Sequence, residues 1–217
     1  MHRSALVPLI LSAALVAGGC GSAVEGRPTA DAWVPTVDDP DPSLALDGIE
    51  VVDYPPAYHV LPNYRVAYTF SPPMGGRHDN AWATCTGVVY PEAVRTENMV
   101  HSLEHGAVWI AYDPAALDDA KIAALAARVE GEPYLMMSPY PGMDRRISLQ
   151  SWGHRLAVES SDDERIDRFV SALRLNPNTF PEPGATCATL PTTFDTANPP
   201  AFVESAPDPA SPLTLPE

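Results

Sequence analysis

The chain has 217 residues, a net charge of −15 with Lys121 as its sole lysine, 25 prolines, three cysteines and six histidines. An acidic chain without a basic stripe repels phosphate backbones, which argues against nucleic-acid binding. The length allows one or two domains, and the crowding of prolines toward the two ends argues for one.

Arg3 and the apolar run over residues 5–17 predict a signal peptide over residues 1–19, which takes His2 with it. The run is shorter than the roughly 20 apolar residues that a membrane span needs. It ends in Ala17-Gly18-Gly19-Cys20, similar to a bacterial lipobox, although a larger aliphatic residue usually stands where Ala17 does. Cys20 is therefore expected to carry the lipid and to hold the protein on the extracytoplasmic face of the cell membrane; without lipidation the protein is secreted. Residues 20–47 are expected to be a flexible tether and residues 190–217 a disordered, Pro-rich acidic tail. Both have few large apolar side chains with which to offset the entropy of ordering. The globular domain is expected over residues 48–189. Lipidation of Cys20 leaves two cysteines, Cys85 and Cys187, which outside the cytoplasm are expected to form a disulfide. The alternative, Cys85 as a free metal ligand, has no C-x-x-C spacing behind it.

Within the domain, residues 88–90 read as a short strand. Asn98 as N-cap and Gly106 as terminator predict a helix over residues 99–105. Residues 107–112 (AVWIAY) read as a buried strand, followed by a turn at Asp113-Pro114. Ile122, Leu125, Ala126 and Val129 repeat at helical spacing and predict a helix over residues 118–130, with acids at its start and Gly131 at its end. Residues 134–138 form another buried strand. Residues 147–150 and 155–159 are expected to be antiparallel strands. Residues 162–175 form a helix with Ile166, Phe169, Val170 and Leu173 facing inward and Asp162 and Asp163 near its N-cap. The fold class is α/β or α+β: a small single-domain mixed sheet with two to three helices packed on it and one disulfide.

The chemistry concentrates in His101-Ser102-Leu103-Glu104-His105, an H-x-x-E-H pattern. At helical spacing the two histidines lie about 40° apart, and Met99 and Leu103 point the other way. That places the imidazoles on a polar face, toward solvent or a separate polar site. Residues i and i+4 of a helix can reach one metal ion, and Glu104 could ligate it or orient an imidazole. His78, in a Gly-rich loop, and His59 are the candidates to complete the set. Imidazole with a thioether from Met74 or Met99 would suit copper; imidazole with carboxylate would suit zinc. The same pattern occurs in inverzincin metalloproteases, with the glutamate as general base and a distal acid, here Glu159 or Asp162, as ligand. The plain alternative is a polar helix face whose histidines make ordinary hydrogen bonds. Ser102 cannot pair with either histidine through neighbouring positions on a helix. His154 reads as a surface residue, and Trp82, Trp109 and Trp152 as core or pocket walls.

The segments PPMGGRHDNAW, NMVHSLEHGAVWIAY, SPYPGM, SWGHRLAVESSDDERIDRFV and PEPGATC, with Cys85, resemble the bacterial family called domain of unknown function 3105, from about Tyr54 to Cys187. The resemblance implies a small exported or membrane-anchored protein. It also implies that His59, His78, Cys85, His101, Glu104, His105 and Cys187 stand at the family's motif positions. Thr86-Gly87 departs from the family's pattern after the first cysteine. Taken together, the expected function is that of a membrane-anchored extracytoplasmic lipoprotein. It binds copper or zinc through His101, His105, His78 and His59. The alternatives are a metal-dependent hydrolase with Glu104 as base and a non-metal envelope binding or structural protein. No protein partner is indicated.

Overall fold

The computed structural model describes residues 30–62 and 64–204. The leader, Cys20, the first part of the tether and residues 205–217 lie outside the described residues. The elements in chain order are strands β1 (Ile49–Val51), β2 (His59–Val60), β3 (His78–Asp79) and β4 (Thr86–Val89), helix α1 (Thr96–Glu104), strand β5 (Val108–Tyr112), helix α2 (Asp119–Ala126), strands β6 (Leu135–Pro139), β7 (Ile147–Ser151) and β8 (His154–Val158), and helix α3 (Glu164–Leu173). Two short 3-10 turns, Ala30–Trp33 and Pro42–Ala45, precede them.

Six strands form one mixed sheet in the order β1-β8-β7-β5-β6-β4. β4, β6 and β5 run parallel, joined by the crossovers through α1 and α2 that parallel neighbours require. β5, β7, β8 and β1 continue antiparallel. Every residue of β5 is buried because both faces of the sheet are covered. Val108, Ile110 and Tyr112 pack with Leu125 of α2 and with Ile166, Phe169 and Leu173 of α3. Trp109 and Ala111 point the other way, to Met99, Val100 and Leu103 of α1. The result is a three-layer α+β domain with α1 alone among the helices on its face. β2 and β3 form a separate two-residue parallel pair in register, His59 opposite His78.

Local chemistry sets the helix starts. Asp118 and Asp163 accept backbone hydrogen bonds from Lys121 and Arg165 and cap α2 and α3. The expected bounds shift in three places. α1 begins at Thr96, with Arg95 at its N-cap position, and Asn98 lies inside the helix and donates to Ala81 O at 2.7 Å. α2 ends at Ala126 and continues as turns, within which Val129 still enters the core. α3 is confined to Glu164–Leu173.

The packed unit is also wider than residues 48–189. Trp33 and Leu46 lie in the core beneath α3, and the Arg168 guanidinium sits 5.4 Å from the Trp33 ring centroid. Phe194 is buried and Phe202 packs on the same opposite-face core. Isolated large apolar side chains thus anchor Pro-rich stretches whose average composition reads as unstructured. The Thr86-Gly87 departure has a local role: the β4–β6 register shifts there, and Gly87 adopts φ +81° against the backbone of Gly131 and Glu132.

Candidate metal centre

α1 is buried along its whole length, polar residues included, so its histidines face neither solvent nor an open polar surface. They face a wall made by β2, β3 and the segment 180–187. Several polar groups of α1 are met by backbone from neighbouring segments. Ser102 donates to Ala83 O at 2.7 Å, and Glu97 Oε1 accepts from Val66 N at 2.8 Å. Burying so many polar side chains is tolerable only with such partners.

Three imidazoles are oriented in one way. His78 Nδ1 lies 2.8 Å from Gly76 O, His101 Nδ1 lies 2.6 Å from Asp79 O, and His105 Nδ1 lies 2.8 Å from Thr186 O. A carbonyl only accepts, so Nδ1 carries a proton in each ring, and Nε2 holds a lone pair whenever the ring is neutral. The carbonyl that orients His101 is itself fixed. The Asp79 carboxylate accepts from Ala81 N at 2.8 Å and pairs with Arg95, which also donates to Tyr64 O at 2.6 Å.

His59, His78, His101 and Glu104 bring one donor atom each within 4.8 Å of one another. The His59 and His101 rings stack with centroids 4.8 Å apart, and His78 and His101 lie 4.6 Å apart. Glu104 Oε1 accepts from Ala57 N at 3.1 Å, and Oε2 lies 2.8 Å from His78 Nε2. In the neutral ring, with its one proton on Nδ1, that approach sets a lone pair against a carboxylate; in the protonated ring it is an ion pair. Two acceptors this close need a cation, a proton or a metal ion, between or beside them. The approach is not directed as a hydrogen bond, and His78 Nε2 is buried without another partner.

His105 joins a different group. With His101 and Glu182 it forms a second set of donors within 4.8 Å. Its Nε2 lies 3.3 Å from Glu182 Oε2, and its ring stands edge-to-face to His101 at 4.6 Å. The single set expected from the sequence, His59, His78, His101 and His105, is thus resolved into two groups that share His101, each completed by a carboxylate. Trp82 packs on the shared ring and on its neighbour, 5.5 Å from His101 and 4.8 Å from His105.

The electrostatics favour the metal-binding forms. Burial, reinforced by His78 and His105, pushes His101 down to about 2, so its ring is neutral at physiological pH. Burial also lowers His105, against the opposing pull of its Thr186 bond and of Glu182. For Glu104 burial acts to raise the pKa, but the adjoining His78 imidazole and the hydrogen bond from Ala57 N outweigh it and hold the carboxyl below its ordinary value. A neutral His101 beside an ionised Glu104 gives the ligand forms a divalent ion requires. For four donors at about 2.0–2.1 Å from zinc, tetrahedral geometry puts them roughly 3.4 Å apart. The widest pair would close by up to about 1.4 Å, and exposed His59, on its two-residue strand, is the member with room to move.

The other expected candidates fall elsewhere. Cys85 and Cys187 form a buried disulfide, with Cα atoms 4.8 Å apart, so neither thiolate is a ligand. Met99 packs in the core. Glu159 pairs with Arg146 at 3.5 Å, and Asp162 accepts from Ser160 at 2.5 Å, and neither enters a donor group. His154 is buried rather than on the surface, held between Trp152 O at 2.7 Å and Asp41 Oδ2 at 3.0 Å. Glu182 was not anticipated. The signal that could have found it is indirect: a Cys85–Cys187 bridge draws residues just before 187 to the region just after His78.

Residues 59–189 match the family described as protein of unknown function (DUF3105), and the chain belongs to that family. No curated protein and no solved structure matches it.

Proposed function

We propose that this member of the DUF3105 family binds one divalent transition-metal ion through His59, His78, His101 and Glu104, and that it handles this ion at the outer face of the cell membrane. The observation that carries the reading is the meeting of His78 Nε2 and Glu104 Oε2 at 2.8 Å, while Nδ1 of His78 is spent on Gly76 O. A buried pair of acceptors flanked by two further imidazoles is a cation site in search of its cation. Three imidazoles and a carboxylate favour zinc, with Cu(II) as the competitor; a copper(I) site would need softer thiolate or thioether donors. When bound, the ion would supply a Lewis-acidic charge balanced by Glu104. The chain's part is to hold the rings in one tautomer through the Gly76 and Asp79 carbonyls and to exclude water through Trp82 and Trp152.

Glu104 serves better as a ligand than as a base, since both of its oxygens are already engaged. The location rests on the leader pattern and on cysteine arithmetic. With Cys85 and Cys187 joined, Cys20 is the cysteine left over, at the position a lipobox modifies. Loss of a lipid mass increment in Cys20→Ser tests that part.

Metal analysis after zinc reconstitution tests the site. About one equivalent is expected, falling steeply in His101→Ala; less than about a tenth of an equivalent in the unmodified protein would overturn the reading. Unchanged metal content in His101→Ala would refute this ligand set.

A further inference from the structure

The two donor groups meet at a single lone pair. His101 has committed Nδ1 to Asp79 O, so only Nε2 can ligate, and it can serve one ion at a time. The groups differ in character. His59, His78, His101 and Glu104 supply four donors, a closed shell. His101, His105 and Glu182 supply three, leaving a position open for water or for a donor from another molecule. Each group has one exposed member, His59 in the closed group and Glu182, with its side chain 48% exposed, in the open one.

The second group is built into the fold. Glu182 N donates to Glu104 O at 3.3 Å, laying the segment across the C-terminal end of α1. Prolines at 181 and 183 flank Glu182 and restrict its backbone. Thr186, whose carbonyl fixes the His105 tautomer, directly precedes Cys187, which the disulfide joins to Cys85. A half-exposed carboxylate, a buried imidazole and the shared ring thus form a path from the surface to the closed shell.

We infer that His101, His105 and Glu182 form a second, open divalent-cation position through which the ion passes between solvent and the closed shell. This rests on the reading of the closed shell as a metal site. In the passage the ion keeps His101 Nε2 and exchanges His105 and Glu182 for His78, His59 and Glu104. No bond to carbon is made or broken and no electron moves. Because the donor is shared, the two positions are alternative homes for one ion.

The test is stopped-flow zinc exchange on the full-length protein. Loading is followed on mixing with free zinc ion. Stripping is followed with excess 4-(2-pyridylazo)resorcinol, whose zinc complex is read by absorbance. Glu182→Gln is expected to slow both loading and stripping about tenfold. His105→Gln is expected to act in the same direction, with a thermal melt to confirm that each variant is folded. Rates within about twofold of the unmodified protein in folded Glu182→Gln would overturn the inference while leaving the closed site standing. Failure of the unmodified protein to bind zinc would instead remove the closed site, and this inference with it. Native mass spectrometry at saturating zinc is expected to show one ion; two ions would refute the shared-donor argument.

Discussion

Replacing both Cys85 and Cys187 by alanine separates what holds the fold from what would hold the proposed metal ion. The bridge spans 102 residues of sequence, and on the chain-entropy model a loop of about 100 residues contributes about 4.7 kcal/mol by restricting the unfolded chain. The native backbone should survive its loss, because Cys85 N also donates to Cys187 O at 3.1 Å. For a domain of this size each kcal/mol moves the melting temperature by about 2–4 °C, so a drop of about 10–19 °C is expected. The consequences for the two donor groups should differ. The carbonyls that orient His78 and His101 belong to Gly76 and Asp79, outside the bridged segment. The carbonyl that orients His105 belongs to Thr186, beside Cys187. Equilibrium zinc affinity of the folded double variant should therefore change less than its exchange rates. Differential scanning calorimetry with zinc titration checks both. A drop of less than about 3 °C would refute the entropic argument. Complete loss of zinc affinity in a folded double variant would refute the separation of the two groups.

Zinc at a hundredfold excess over its dissociation constant should stabilise the protein by about 2.7 kcal/mol, raising the melting temperature by about 5–11 °C; a chelator should reverse the shift, and no shift would count against a native metal site. Two glycines with positive φ should behave differently in urea denaturation. A Cβ on Gly131 meets nothing within 4 Å, so Gly131→Ala should cost only the left-handed strain of about 1–2 kcal/mol. A Cβ on Gly87 would overlap the backbone of Gly131 and Glu132, so Gly87→Ala should cost about 3 kcal/mol or more; equal costs would contradict the close approach at β4. Burial raises Asp41, but hydrogen bonds from His154 and Ser43 outweigh it and leave it below its ordinary 3.8. A carboxyl with a depressed folded-state pKa contributes stability that is fully present above about 3.8 and lost as the pH falls through the folded value. The stability gap between the unmodified protein and Asp41→Asn should therefore narrow as the pH falls below about 3.8, and a gap that stays constant in thermal melts would argue against the His154 contact.

Legibility in the sequence followed the length of each element and the locality of its signal. α3 could be read from its stripe of Ile166, Phe169 and Leu173, and β5 from its continuous apolar run, because burial on both faces leaves a local trace. β2 and β3 could not, since two residues carry no periodicity, and yet that pair brings His59 beside His78. The H-x-x-E-H pattern pointed to α1, where His101 and Glu104 do enter donor groups, but its polar side chains suggested an exposed face. They are buried because backbone carbonyls at positions 79, 83 and 186, all distant in sequence, receive His101, Ser102 and His105. No local rule encodes such partners. Glu182 was hidden for the same reason, inside a Pro-Glu-Pro-Gly stretch that reads as a loop. Trp33 and Phe194 show how one aromatic side chain can draw an apparent tether or tail into the packed unit.

Zinc K-edge X-ray absorption on the reconstituted protein tests the central claim most directly. A shell of three imidazole nitrogens at about 2.0–2.1 Å with one carboxylate oxygen is predicted, losing one imidazole in His78→Ala. An all-oxygen shell of about six donors, or one unchanged by that substitution, would contradict it.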